Sequence, residues 1–145
     1  MRPFRSIPRV RQRDASDCGA ACLASVAAWY RLRLPIARLR QLAHTDARGT
    51  TALGIVEAAT RIGFQARGVR ATADALSALP LPAIAHVVRG SLQHWVVLAR
   101  VAGARRGVRA GLNQASTPSK SSCQSERSAI TNRARNVIPL PNDAR

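Results

Sequence analysis

The chain has 145 residues, 46% of them apolar, which suits one domain with one core and excludes a disordered protein. Aromatics make up only 3%, so Ala, Leu, Val and Ile must build that core. No uncharged apolar run of about 18 residues is present, which excludes a bilayer-spanning helix, and the basic segment Met1–Asp14 lacks the apolar stretch of a secretory signal.

The net charge is +16, and of the 23 basic residues all but Lys120 are Arg. Such charge can favour nucleic acid or anionic membranes. Here the Arg residues are scattered through helices, strands and tail, with no recognition motif or stacking platform, so a solvated surface outweighs a nucleic-acid partner. The three cysteines, Cys18, Cys22 and Cys123, are an odd set that suits a reducing compartment rather than a disulfide framework. A cytoplasmic location is the expectation.

Residues 1–7 form a basic, Pro-containing lead-in. Ser16 or Asp17 can cap a helix that starts near Cys18. From Gly19 to Tyr30 every residue except Ser25 is apolar or small, the mark of a buried central helix. Pro35 opens a short amphipathic helix to about Leu42. Thr50 or Thr51 caps the next, which runs to about Ile62 and stops at Gly63. Phe64–Arg70 alternates apolar and polar, the pattern of a strand. Thr72 caps a short helix that ends near Leu79.

Two strands follow, Ala83–Val88 and His94–Val101, joined by a five-residue hairpin loop. Helices first and an antiparallel sheet second give an α+β fold. Beyond Val101 the apolar period is lost. Gly107–Ala110 is one weak strand, and residues 111–145 read as a disordered tail. The expected organisation is a lead-in over 1–7, a domain over 8–110 that is altered after about 101, and the tail.

Three residues have the right type and place for nucleophilic chemistry. Cys18 falls in the first turn of a buried helix, where unpaired N–H groups and the helix dipole favour thiolate. The rival reading is a buried structural Cys, and position alone leaves the two even. His94 opens an apolar strand, where it can relay protons or simply hydrogen-bond at a strand end. Gln12 lies just upstream of the helix, where a carboxamide can face the same space as the Cys18 amide, although an isolated loop Gln is the commoner case. Cys18 and Cys22, one helical turn apart, can also be paired with histidines as a zinc site. No short-spaced ligand motif completes that site, so no metal or other cofactor is expected.

The string Gln12-Arg13-Asp14-Ala15-Ser16-Asp17-Cys18-Gly19-Ala20-Ala21-Cys22-Leu23 resembles the nucleophile motif of the bacteriocin-processing peptidases. These are the double-glycine-leader peptidase domains of bacterial ABC exporters. The similarity continues through Leu39-Arg40-Gln41-Leu42, Gly49-Thr50-Thr51-Ala52-Leu53-Gly54 and Leu81-Pro82-Ala83-Ile84-Ala85-His86, and it ends with His94-Trp95-Val96-Val97-Leu98. The resemblance covers roughly residues 8 to 101. It implies a papain-like cysteine peptidase fold, with Cys18 as nucleophile, His94 as general base and acid, and Gln12 in the oxyanion hole. It implies a leader peptide cut after Gly-Gly as substrate, and the membrane and nucleotide-binding parts of an exporter as partners at the cytosolic face of the inner membrane. Asp17 reads as a cap or structural residue, and Cys22 as core.

One departure stands out. The family places an Asp about 16 or 17 residues beyond the His to orient the imidazole, whereas Arg109-Ala110-Gly111-Leu112-Asn113 holds no acid. Asn113 is the substitute on offer. The alternative function is therefore an impaired leader-binding module or a truncated relic of an exporter domain.

Overall fold

A computed structural model describes residues 7–72, 74–89, 91–100, 109–111 and 136–140. Helix α1 spans Cys18–Trp29 and is buried at every position from Cys18 to Ala27. An all-apolar sequence leaves no face for water, so α1 becomes the axis of the core. It packs against the shorter helices α2 (Ile36–Leu42) and α3 (Ala52–Arg61) and against the sheet.

The helix boundaries follow local chemistry, with one correction. The entry to α1 is a 3-10 turn over Ala15–Asp17, and its cap is Asp14, whose carboxylate accepts the Ser16 N–H at 2.8 Å. Neither Ser16 nor Asp17 takes the expected role, because the Asp17 carboxylate turns back toward the preceding loop. Thr51 caps α3 by accepting the Gly54 N–H at 3.0 Å, and Gly63 follows the helix at a φ of +99°. Gly54 itself is required by a close approach: a Cβ there would stand 2.2 Å from the Ala43 carbonyl oxygen at the end of α2.

Four antiparallel strands lie in the order β3-β2-β1-β4, with β1 at Ala83–Arg89, β2 at Leu92–Arg100, β3 at Arg109–Gly111 and β4 at Asn136–Pro139. The β1–β2 hairpin is tighter than the sequence suggests. Arg89 pairs with Leu92, so His94 lies inside β2, level with Val87, rather than at its start. Ile84, Trp95 and Val97 face the core around α1, whereas Ala83, Ala85, Val87, Val96 and Leu98 pack with Leu76 on the other face.

Two further expectations are corrected. Phe64–Arg70 forms no strand and has a single bridge position at Val69. Its alternation comes from an extended run that buries Phe64 and half-buries Ala66 and Val69 while Gln65 and Arg67 face solvent. The tail, expected to lack order, supplies β4 at its far end. Ile138 pairs with Ile84 and is fully buried. Leu140 is fully buried as well, with its N–H on the Pro82 carbonyl at 3.0 Å and its carbonyl accepting the Tyr30 hydroxyl at 3.1 Å.

Candidate active site

Cys18 occupies the first position of α1 and is 6% exposed. The expectation that a helix start alone favours thiolate is only half met. The backbone N–H groups of Gly19 and Cys18 do pull the thiol pKa down, and so does that of Trp95 across the core. Burial outweighs them, the negative charge of Asp17 adds to it, and the thiol sits above its ordinary value. Cys22, one turn on and fully buried, is held much higher.

The meeting of α1 with β2 depends on where β3 ends. β3 pairs with β2 from Val97 to Arg100, short of His94. Two residues before Val97, Trp95 offers its N–H and C=O to that same side of the strand. The helix takes both. The Trp95 N–H faces the Cys18 sulfur, and the Trp95 carbonyl accepts the Cys22 S–H at 3.3 Å. The Trp95 indole N–H donates to the Thr50 carbonyl at 2.8 Å, fastening the loop before α3 to the same point. Gly19 is part of this fit, because a Cβ there would meet Thr50 Cβ at 2.8 Å.

His94 directly precedes Trp95, so the strand brings the histidine to the edge where the sulfur sits. Among the described residues no hydrogen bond links the two side chains, and His94 Nε2 is buried without a partner. Alternation along β2 gives His94 the face of Val87 and Val96, opposite the face that packs on α1. Burial and the neighbouring His86 both hold the His94 pKa below the ordinary 6.5. His86 itself stacks on Trp95, with ring centroids 4.6 Å apart. The two shifts favour the neutral thiol and the neutral imidazole.

Gln12 is half-buried. Its Nε2 donates to the Asp14 carbonyl at 3.2 Å, and its Oε1 is the other buried side-chain atom without a partner among the described residues. Gln12 and His94 thus carry the two unsatisfied buried polar atoms of the described chain, a combination that buried groups avoid unless a ligand completes them. Asn113 lies outside the described residues. The positions where the resemblance puts an acid are Ala110 and Gly111, both in β3. Among the described residues no group of three or more His, Cys, Asp or Glu could hold a metal ion, and no helix is long and apolar enough to cross a membrane.

Residues 6–108 match the Peptidase C39 family. The chain belongs to that family. It is 46% identical over 93 residues to the pediocin PA-1 transport/processing ATP-binding protein PedD of Pediococcus acidilactici, a match that covers 62% of this chain and 13% of PedD. The chain therefore spans about one-eighth of the length of that relative. The crystal structure of the peptidase domain of Streptococcus ComA, a bi-functional ABC transporter of a quorum-sensing pathway, superposes with a TM-score of 0.73 at 36% identity, covering 95% of this chain and all of that one. A double-glycine-motif protease from an AMS/PCAT transporter, solved with its leader peptide, has the same fold at a TM-score of 0.75 and 24% identity, covering 97% of this chain and 96% of that one. The papain-like α+β architecture expected from the sequence is thus shared with solved C39 peptidase domains.

The contribution of Trp95 was not visible in the sequence. Its backbone does the work, and backbone contacts leave no residue-type signal.

Proposed function

We propose that this domain is a cysteine endopeptidase that removes leader peptides after a Gly-Gly pair, with Cys18, His94 and Gln12 as its working groups. The observation that carries the reading is the seating of Cys18, at the start of a buried helix, against the Trp95 amide beside His94. Family membership and the transport/processing role in the relative's name support it.

The chemistry follows from the groups present. Cys18 Sγ attacks the carbonyl carbon of the second Gly while its proton passes to the imidazole of His94. The new oxyanion accepts hydrogen bonds from the Cys18 backbone N–H and the Gln12 carboxamide. Collapse breaks the C–N bond, and His94 returns the proton to the departing amine. Water then hydrolyses the thioester, with His94 taking its proton, and the leader acid and free thiol are regenerated. A depressed His94 pKa suits the first step, because the ring is already neutral near pH 7 and available as a base. An exporter carrying this domain would supply transport through its other parts.

The second reading, a leader-binding module with little turnover, draws on the absence of a carboxylate in β3. Substrate choice separates the two. A synthetic leader ending in Gly-Gly and extended by several residues should be cut once, after the second Gly, and the same peptide with Val-Val should stay intact. Binding of the Gly-Gly peptide without any cleavage would favour the module.

A further inference from the structure

The segment that carries Gln12 has no helix or strand to hold it, yet an oxyanion donor must stay fixed to within a fraction of an ångström. Before Gln12 the Val10 N–H is tied to the Ser25 hydroxyl at 3.1 Å, and after it the segment is held by a buried carboxylate. Asp17 is 1% exposed, and one of its oxygens accepts the backbone N–H groups of Arg13 at 3.0 Å and Asp14 at 3.4 Å, the two residues that follow Gln12. Its other oxygen pairs with the Arg40 guanidinium, which reaches across from α2. The same Arg40 nitrogen contacts the Asp14 carboxylate at 3.2 Å and the Ser16 hydroxyl at 3.3 Å. Three pieces of chain therefore converge on one ion pair: the Gln12 segment, the 3-10 turn that leads into α1 and the last turn of α2.

We infer that Asp17, locked by Arg40, is the positioning residue that sets the Gln12 carboxamide over the nucleophile. The inference rests on the peptidase reading above.

Electrostatics argues that Asp17 is kept for geometry. A carboxylate next to the nucleophile opposes thiolate formation, and its charge is one of the causes that push the Cys18 thiol up. A residue whose charge hinders the nucleophile must contribute through what it holds. Its charge is already taken up by Arg40 and two amides, the arrangement in which a buried carboxylate is tolerated.

This separates positioning from mere stability. Asp17→Ala should lower kcat for leader cleavage about 10- to 100-fold with KM little changed, the size of effect expected when an oxyanion donor is misplaced. In the same variant, iodoacetamide alkylation of Cys18 should shift to lower pH, because the opposing charge is gone. A general loss of structure does not move turnover and thiol acidity in these opposite senses. Asp17→Asn, which keeps one acceptor for the two amides, should recover part of the activity, and Arg40→Ala should reproduce part of the loss. In a Gln12→Ala background, Asp17→Ala should add almost nothing, because the group it positions is already absent.

If the two substitutions multiply independently, or if alkylation and turnover fall together in Asp17→Ala and Arg40→Ala alike, the proposal is overturned. Amide exchange gives a readout that does not need cleavage: the Arg13 and Asp14 amides should be protected in the unsubstituted chain and exchange rapidly in Asp17→Ala, and faster than unsubstituted in Arg40→Ala, with Leu23 still protected. A chain that cleaves nothing but shows this pattern contradicts the peptidase reading and keeps the clamp. Unchanged protection of Arg13 and Asp14 contradicts the clamp whatever the activity.

Discussion

His94→Ala should reduce kcat for leader cleavage by about 10²- to 10⁴-fold while leader binding persists, the range general acid–base groups contribute. In the proposed mechanism the neutral imidazole has two tasks, to take the thiol proton and to return it to the leaving amine. His86 is near and stacks on Trp95, but it lies on β1, one strand further from the sulfur. The pH dependence follows from the direction of the His94 shift. Its base form persists below the ordinary histidine range, so the acid limb of kcat/KM should fall below pH 6.5. The raised Cys18 pKa means that thiolate does not accumulate at neutral pH, so alkylation of Cys18 by a small electrophile should rise only in the alkaline range. Activity at pH 7 combined with slow alkylation at pH 7 would mark a proton transfer that occurs with substrate bound.

Ile138→Ala should destabilise the domain by about 2 to 5 kcal/mol in chemical denaturation, the cost of emptying a fully buried aliphatic site. Ile138 is 0% exposed and pairs with Ile84 on the face that packs against α1. Leu140 beside it is bonded through its backbone to both Pro82 and Tyr30. These contacts make the far end of the chain part of the core. β4 covers the outer edge of β1, and β1 in turn supports β2, which carries His94. A loss of activity in Ile138→Ala should therefore track the fraction of protein unfolded, and a stabilising condition should restore it. An unfolding midpoint equal to that of the unsubstituted chain would show that β4 contributes no core.

Some of this was written plainly in the sequence and some was not. The stretch from Gly19 to Tyr30, apolar or small at every position but Ser25, announces a buried helix because an α-helix of that composition must hide every face. Pro35, Thr51 and Gly63 mark helix limits through backbone chemistry that acts within a few residues. β4 was illegible because Asn136–Pro139 is short and flanked by Arg, Asn and Pro, so its strand character comes from pairing with β1 more than fifty residues away. Phe64–Arg70 misleads for the converse reason: alternation reports which side chains face the core, and it does so equally for an extended run that joins no sheet. Cys18, His94 and Gln12 were singled out by residue type and position in the sequence. Their physical states required the fold, since burial, and not the helix start, dominates the Cys18 thiol. The Asp17–Arg40 pair links residues 23 apart in sequence, and no local pattern points from one to the other.

The central claim is that Cys18 breaks a peptide bond. The direct measurement is incubation of the purified chain and its Cys18→Ala variant with a double-glycine leader peptide, followed by mass spectrometry of the products. Two fragments that meet after the second Gly are expected with the unsubstituted chain, and intact peptide with Cys18→Ala. Cleavage that survives Cys18→Ala, or an unsubstituted chain that is folded and leaves the peptide whole, would contradict it.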